Sequence, residues 1–169
     1  TVCINNIALQ KAEEKLNIDE CQKLDNTLVS VESCVFEITA KKALSEENPA
    51  LCSAIVDTQS AELCMLQTST AIALKKDNPN VCKNFGLNQS DENRCYNAVL
   101  LVPKVIGGKL SMPIKTIECD TLTGSDFQKD CRLFQSAILR KTEGSLGACS
   151  KMSTEEFRRM CSASAYVGN

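Results

Sequence analysis

Histidine and tryptophan are both absent from this sequence, and the first absence removes whole classes of chemistry. Without an imidazole there is no His-based catalytic triad, no His general base and no Cys2His2 zinc site. Cysteines clustered with roughly two to four residues between them, as structural zinc needs, are missing too, so no metal is expected. No P-loop, dinucleotide fingerprint or G-x-S-x-G stretch occurs, and Gly107-Gly108 alone does not cradle a phosphate. Adjacent acids such as Glu13-Glu14, Glu46-Glu47 and Glu155-Glu156 diverge around a helix and read as solvated faces. No catalytic residue and no cofactor are assigned, and the protein is expected not to be an enzyme.

Long hydrophobic runs are lacking as well. The longest candidate, Ala98 to Val102, meets Pro103 at once, far short of the roughly 18 apolar residues that span a bilayer, so the chain is not expected to cross a membrane. A charged start followed by an apolar run is also missing, so an exported protein of this sequence is expected to be a mature or trimmed form. Neither sign of charge dominates: 19 basic and 21 acidic residues are interspersed for a net charge of -2, which offers no basic stripe to nucleic acid. Aromatic residues number only five Phe and two Tyr, leaving Ala, Leu, Val and Ile spread thinly over 169 residues. A core of that kind needs help.

Help is present in the form of 11 cysteines, a frequency that points to an oxidising compartment and to a secreted, periplasmic or cell-surface protein. They stand at 3, 21, 34, 52, 64, 82, 95, 119, 131, 149 and 161, so that a step of 18 alternates with one of 12 or 13, except for a single step of 24. The sum of a long and a short step, 30 or 31, is the period of an internal repeat, visible by eye in "NPALC" at Asn48 and "NPNVC" at Asn78.

Each repeat reads as a helical hairpin. Asn48-Pro49 and Asn78-Pro79 join a preferred N-cap to proline at the first helical position. An apolar residue follows the first cysteine by three in every unit: Leu24, Ile55, Phe85, Leu122 and Met152. After a polar link such as Asp57-Thr58-Gln59 comes a longer helix with the second cysteine near its start, and Ser153 with Glu156 reads as a capping box for the last one. Apolar stripes follow at helical spacing: Val35, Ile38 and Leu44; Ala71, Ile72 and Leu74; Ala98, Val99 and Val102; Phe134, Ala137 and Ile138. Strand signals are weak, so an all-α fold is expected, with hairpins stacked as a short α-solenoid. Its parts are a half repeat at 1-16, hairpins at 17-46, 47-76, 77-102, 118-145 and 146-169, and an irregular insertion at 103-117.

In a tight hairpin the first cysteine lies about five residues before the turn and the second about four after it, so at about 1.5 Å per residue the two reach similar heights. Their Cα atoms then fall in the roughly 4.4 to 6.8 Å window of a disulfide. Cysteines across a long step, such as Cys34 and Cys52, are on the order of 15 Å apart along the axis. The expected pairs are therefore Cys21 with Cys34, Cys52 with Cys64, Cys82 with Cys95, Cys119 with Cys131 and Cys149 with Cys161. Each closed loop contributes about 3 kcal/mol on the chain-entropy model, so the five together rival the stability of an ordinary domain.

Cys3 is left without a partner and occupies the second-cysteine slot of an earlier unit, consistent with trimming of a longer array or with an odd thiol. Replacing Cys3 by serine is expected to leave the unfolding midpoint nearly unchanged in a thermal melt. The insertion "LVPKVIGGKLSMPIKTIEC" combines Pro103, Gly107-Gly108 and Pro113 with Val105, Ile106, Leu110, Met112 and Ile114. Pro and Gly break the helical pattern there, and the five apolar residues are the candidate partner-binding surface. Asn88-Gln89-Ser90 matches the N-glycosylation acceptor.

In its period and helix pairing, and through the alternating cysteine steps that carry the likeness, the chain resembles α-solenoids of helical hairpins, in the broad manner of tetratricopeptide or Sel1-like arrays. The Trp, Gly, Tyr and Pro pattern of the former, at a period of about 34, is absent, and so are the Gly-rich turns of the latter. Solenoids present extended faces to other chains, so the expected function is that of an extracytoplasmic protein-binding scaffold, monomeric, with a protein or peptide partner. A carrier of a small apolar ligand and a structural envelope or coat component are the alternatives.

Overall fold

The computed structural model describes residues 2-25, 30-102, 104-106, 109-111, 113, 116-140, 147 and 149-166. Six α-helices account for most of them: α1 (Val2–Lys15), α2 (Val31–Ser45), α3 (Thr58–Lys75), α4 (Gln89–Leu101), α5 (Ser125–Arg140) and α6 (Glu155–Tyr166). The residues gather into two compact units, Thr1–Cys95 and Tyr96–Asn169, with the boundary inside α4. Among the described residues a pair of strands, β1 (Lys104–Ile106) and β2 (Lys109–Ser111), interrupts the helices inside the segment expected to be irregular.

In the first unit one local design appears three times. Each long helix ends on a residue with left-handed backbone, Leu16, Glu47 or Asp77, at φ of 47, 49 and 46°. An asparagine follows, and its N–H reaches back across the turn: Asn17 to the Ala12 carbonyl at 3.1 Å, Asn48 to Ala43 at 2.8 Å, Asn78 to Ala73 at 3.1 Å. This closure satisfies a carbonyl that the helix end would orphan. It also turns the three alanines inward, each fully buried.

The same asparagines then cap what comes next. Their side chains accept from the N–H of Asp19 at 3.0 Å, Ala50 at 3.3 Å and Asn80 at 3.0 Å, opening six-residue 3₁₀ segments Ile18–Lys23, Pro49–Ala54 and Pro79–Asn84. The short first helix of these three hairpins is thus 3₁₀ rather than α, as befits pieces of one or two turns. Cysteine is its fourth residue every time. The residue three further on closes the turn in four units, where Leu24, Ile55, Leu122 and Met152 donate to the carbonyls of Cys21, Cys52, Cys119 and Cys149 at 3.1 to 3.3 Å. Those four side chains are buried, while Phe85 is half-buried.

Five disulfides bind the short elements to the helices that follow. They join Cys21 to Cys34, Cys52 to Cys64, Cys82 to Cys95, Cys119 to Cys131 and Cys149 to Cys161, with Cα–Cα distances of 5.7, 5.7, 5.9, 5.6 and 5.5 Å. All ten cysteines are buried. A protein with five such bonds folds in an oxidising compartment.

Among the described residues, two apolar clusters of the first unit are each built round a disulfide. Ala8, Ala12, Leu24 and Ile38 surround Cys21 and Cys34, whereas Ala43 and Ile55 surround Cys52 and Cys64. Leu44, expected in the stripe of α2, is an exposed residue; the left-handed closure at Glu47 turns Ala43 inward instead. The second unit is richer. Leu101, Leu122, Phe127, Phe134, Met152 and Phe157 pack round two disulfides, so three of the chain's five phenylalanines meet in one place.

Exposed ion pairs decorate the first unit, with Glu13 to Lys41 at 2.6 Å and Glu47 to Lys76 at 2.6 Å and Lys75 at 3.0 Å. Hydrogen bonds from Lys76 and Lys75 hold the Glu47 carboxyl below its ordinary 4.5. A carboxyl lowered by folding adds stability above its unfolded value, and the gain fades as pH falls through its folded value. Because the pairs are exposed, Glu47→Gln is expected to change the acid unfolding profile only slightly, and less still in high salt.

Candidate functional site

Helix α4 stops at Leu101, with Val102 N–H still donating to Ala98 O at 3.0 Å, because the proline at 103 has no N–H to continue the ladder. The next described residues form the antiparallel pair β1 and β2, in the register Lys104 opposite Ser111, Val105 opposite Leu110 and Ile106 opposite Lys109. Two glycines, 107 and 108, separate the strands, a composition that tight antiparallel connections favour. After the strands the Pro113 carbonyl accepts from Thr116 N–H at 2.9 Å and Ile117 N–H at 2.8 Å, closing a turn that leads into Cys119. Ile117 packs against the second unit's core, and its carbonyl accepts from the Gln135 amide at 2.8 Å. The ribbon therefore leaves from one fixed point, the end of α4, and returns to another.

Of the five residues expected to meet a partner, Val105, Ile106 and Leu110 are in these strands, and Val105 and Leu110 stand directly opposite one another. Met112 and Ile114 lie outside the described residues. Cys3 is in the first turn of α1, and its side chain is likewise outside them. Asn88, in the glycosylation motif, acts as a helix cap, accepting from Asp91 N–H at 2.9 Å and donating to the Asp91 carboxylate at 2.8 Å. Helix α6 begins at Glu155, one residue later than a Ser153 cap implies, with the Thr154 carbonyl accepting from Arg158 N–H at 3.2 Å.

Three buried polar residues had no place in the sequence reading, and they pin helices to the turns that follow. Asn5 donates to Asp25 O at 3.1 Å and accepts from Asp25 N–H at 2.9 Å. Asn97 does the same to Thr123, at 2.8 and 2.9 Å, and also accepts from the Thr123 hydroxyl. Both asparagines come two residues after a second-slot cysteine, Cys3 or Cys95, so the phrase Cys-x-Asn was the available signal. Asp130 takes the third pin: one oxygen accepts from Thr154 N–H at 2.6 Å and from its hydroxyl at 2.8 Å, and the other has no partner among the described residues. Because Asn97 is fully buried, Asn97→Ala removes the partner of the Thr123 carbonyl, N–H and hydroxyl and is expected to cost about 2 kcal/mol in denaturant unfolding.

Single apolar side chains also reach solvent. Val56, in the link after Ile55, is 99% exposed, and Ile7 and Leu63 are about half exposed at 48% and 47%. A depression of about 400 Å³ on α6, open to solvent, is lined by Glu155, Arg158, Arg159 and Ser162. Among the described residues no group of His, Cys, Asp or Glu is placed to hold a metal ion, and no helix is long and apolar enough to cross a membrane. Comparison with protein-family models, with curated proteins and with solved structures found no match in any of the three.

Proposed function

We propose that the protein is a secreted, periplasmic or cell-surface interaction scaffold, without enzymatic activity, in which stapled hairpins stack as a short solenoid and present a face to a protein or peptide. The observation that carries this reading is the recurrence of one unit, asparagine cap, 3₁₀ segment, disulfide and long helix, at Asn17, Asn48 and Asn78. Structures built by repetition hold their stability locally and leave side chains on their faces free for contact. Candidate contacts are the segment 101-117 and the exposed faces of the short elements. The absence of histidine from the sequence weighs against acid-base chemistry.

The carrier is the alternative reading. A site for a small apolar ligand is an enclosed cavity lined by hydrophobic side chains, and the depression on α6, among the described residues, is instead open and lined with charge. Immobilised protein with its disulfides intact, exposed to fluid from its own compartment, is expected to retain one partner in stoichiometric amount and to lose it after reduction and alkylation. No retained protein together with a small molecule carried through purification would replace the scaffold with the carrier.

A further inference from the structure

The segment from Leu101 to Ile117 differs from the rest of the chain in charge as well as conformation. It holds Lys104, Lys109 and Lys115 and none of the 21 acidic residues, in a protein whose net charge is -2. Its two strands form a sheet of their own, each with a single neighbour among the described residues. A two-stranded ribbon leaves, along each outer edge, backbone N–H and C=O groups that do not face the partner strand, and such an edge is a template for another strand.

Charge decides which strand fits. Lys104 and Lys109 sit at ladder positions, opposite Ser111 and Ile106, so no acid within the ribbon answers them. A second copy of the same ribbon would bring two more lysines and no acid, so it offers these positions no opposite charge. Opposite charges at those positions attract, and the ladder position between them, on the other face of the ribbon, is the apolar pair Val105 and Leu110.

Building on the scaffold reading, we propose that the 104-111 ribbon takes up an extended acidic peptide as a third strand. Backbone hydrogen bonds would supply affinity that depends little on sequence, and the lysines would select for Asp and Glu.

The test uses the whole protein with disulfides intact and a short, end-blocked peptide alternating glutamate and valine, followed by fluorescence anisotropy. Binding is expected, weakening as salt rises, with slowed hydrogen exchange of amides in 104-106 or 109-111. The double variant Lys104→Glu/Lys109→Glu is expected to bind about tenfold more weakly and to prefer the lysine–valine counterpart. Its unfolding midpoint, equal to the parent's, separates lost binding from lost folding. A glutamate–valine peptide N-methylated on alternate residues, in either of the two frames, is expected to lose binding in at least one frame, because N-methylation removes donors from a pairing edge. Undiminished binding in both frames, equal binding of the lysine–valine peptide by the parent protein, or binding to anionic phospholipid vesicles but to neither peptide overturns the proposal. If the peptide fails while stoichiometric partner capture persists, this inference falls and the scaffold stands; if both fail, the scaffold falls too.

Discussion

Replacing Phe157 by alanine is expected to lower the unfolding free energy of the second unit by about 3 to 5 kcal/mol. Phe157 is fully buried, and its ring meets those of Phe127 and Phe134 edge-on at centroid distances of 6.3 and 6.1 Å. Its cluster is fenced by Cys119, Cys131, Cys149 and Cys161, whose disulfides limit how far the walls can relax into the space left by a missing ring. The cost therefore belongs at the upper part of the range. Phe157→Leu, which keeps most of the volume, is expected to cost under about 1.5 kcal/mol. Denaturant unfolding of the two variants checks this, and a loss below about 1 kcal/mol for alanine would mean that the three rings do not form one core.

Removing the staple of the second hairpin, Cys52→Ala with Cys64→Ala, is expected to cost about 3 kcal/mol. The bond closes a 12-residue step and is the centre of a cluster whose other buried members are only Ala43 and Ile55. Once the chain is free to open, Pro49–Ala54 is held against α3 by Ile55 and by partly buried residues such as Leu51, Ala61 and Met65. The thermal midpoint should fall clearly in this variant and stay put in Cys3→Ser, whereas equal shifts in the two would refute the local pairing. Where the effect appears also matters. Amides of the 3₁₀ segment and the first turn of α3 should lose protection before those of α6, since the damaged cluster contains no residue of the second unit.

Much of the local architecture is legible in the sequence, because it rests on short-range chemistry. Asparagine before proline announces the caps at Asn48 and Asn78, the steps of 12 and 13 are those the disulfides close, and the hydrophobic residue three after the first cysteine marks a buried turn in four of the five units, Phe85 being half-buried. What escaped depends on chain conformation that no periodicity encodes. The left-handed residues are Leu16, Glu47 and Asp77, none a glycine, so the helix ends carry no compositional flag, and the shift of register from Leu44 to Ala43 follows from them. Asn5, Asn97 and Asp130 escaped because a buried polar side chain looks like a surface one until its partner, at least 20 residues away, is in place.

The ribbon at 104-111 was half legible. Pro103 and the two glycines show that helix must stop, and the Val and Ile between them suit extended chain, but three-residue strands are too short for alternation to register. The concentration of phenylalanines in the second unit was hidden for the opposite reason. Five rings in the whole sequence look sparse, and only folding brings Phe127, Phe134 and Phe157 together.

A chain of hairpins each closed by its own disulfide is tested by proteolysis of the unreduced protein followed by mass spectrometry of the linked peptides. Five links are expected, each across a short step, with Cys3 the one cysteine that an alkylating reagent modifies without prior reduction. Links across the long steps, such as Cys34 to Cys52, would contradict the hairpin unit, and many free thiols would contradict the oxidising compartment in which it folds.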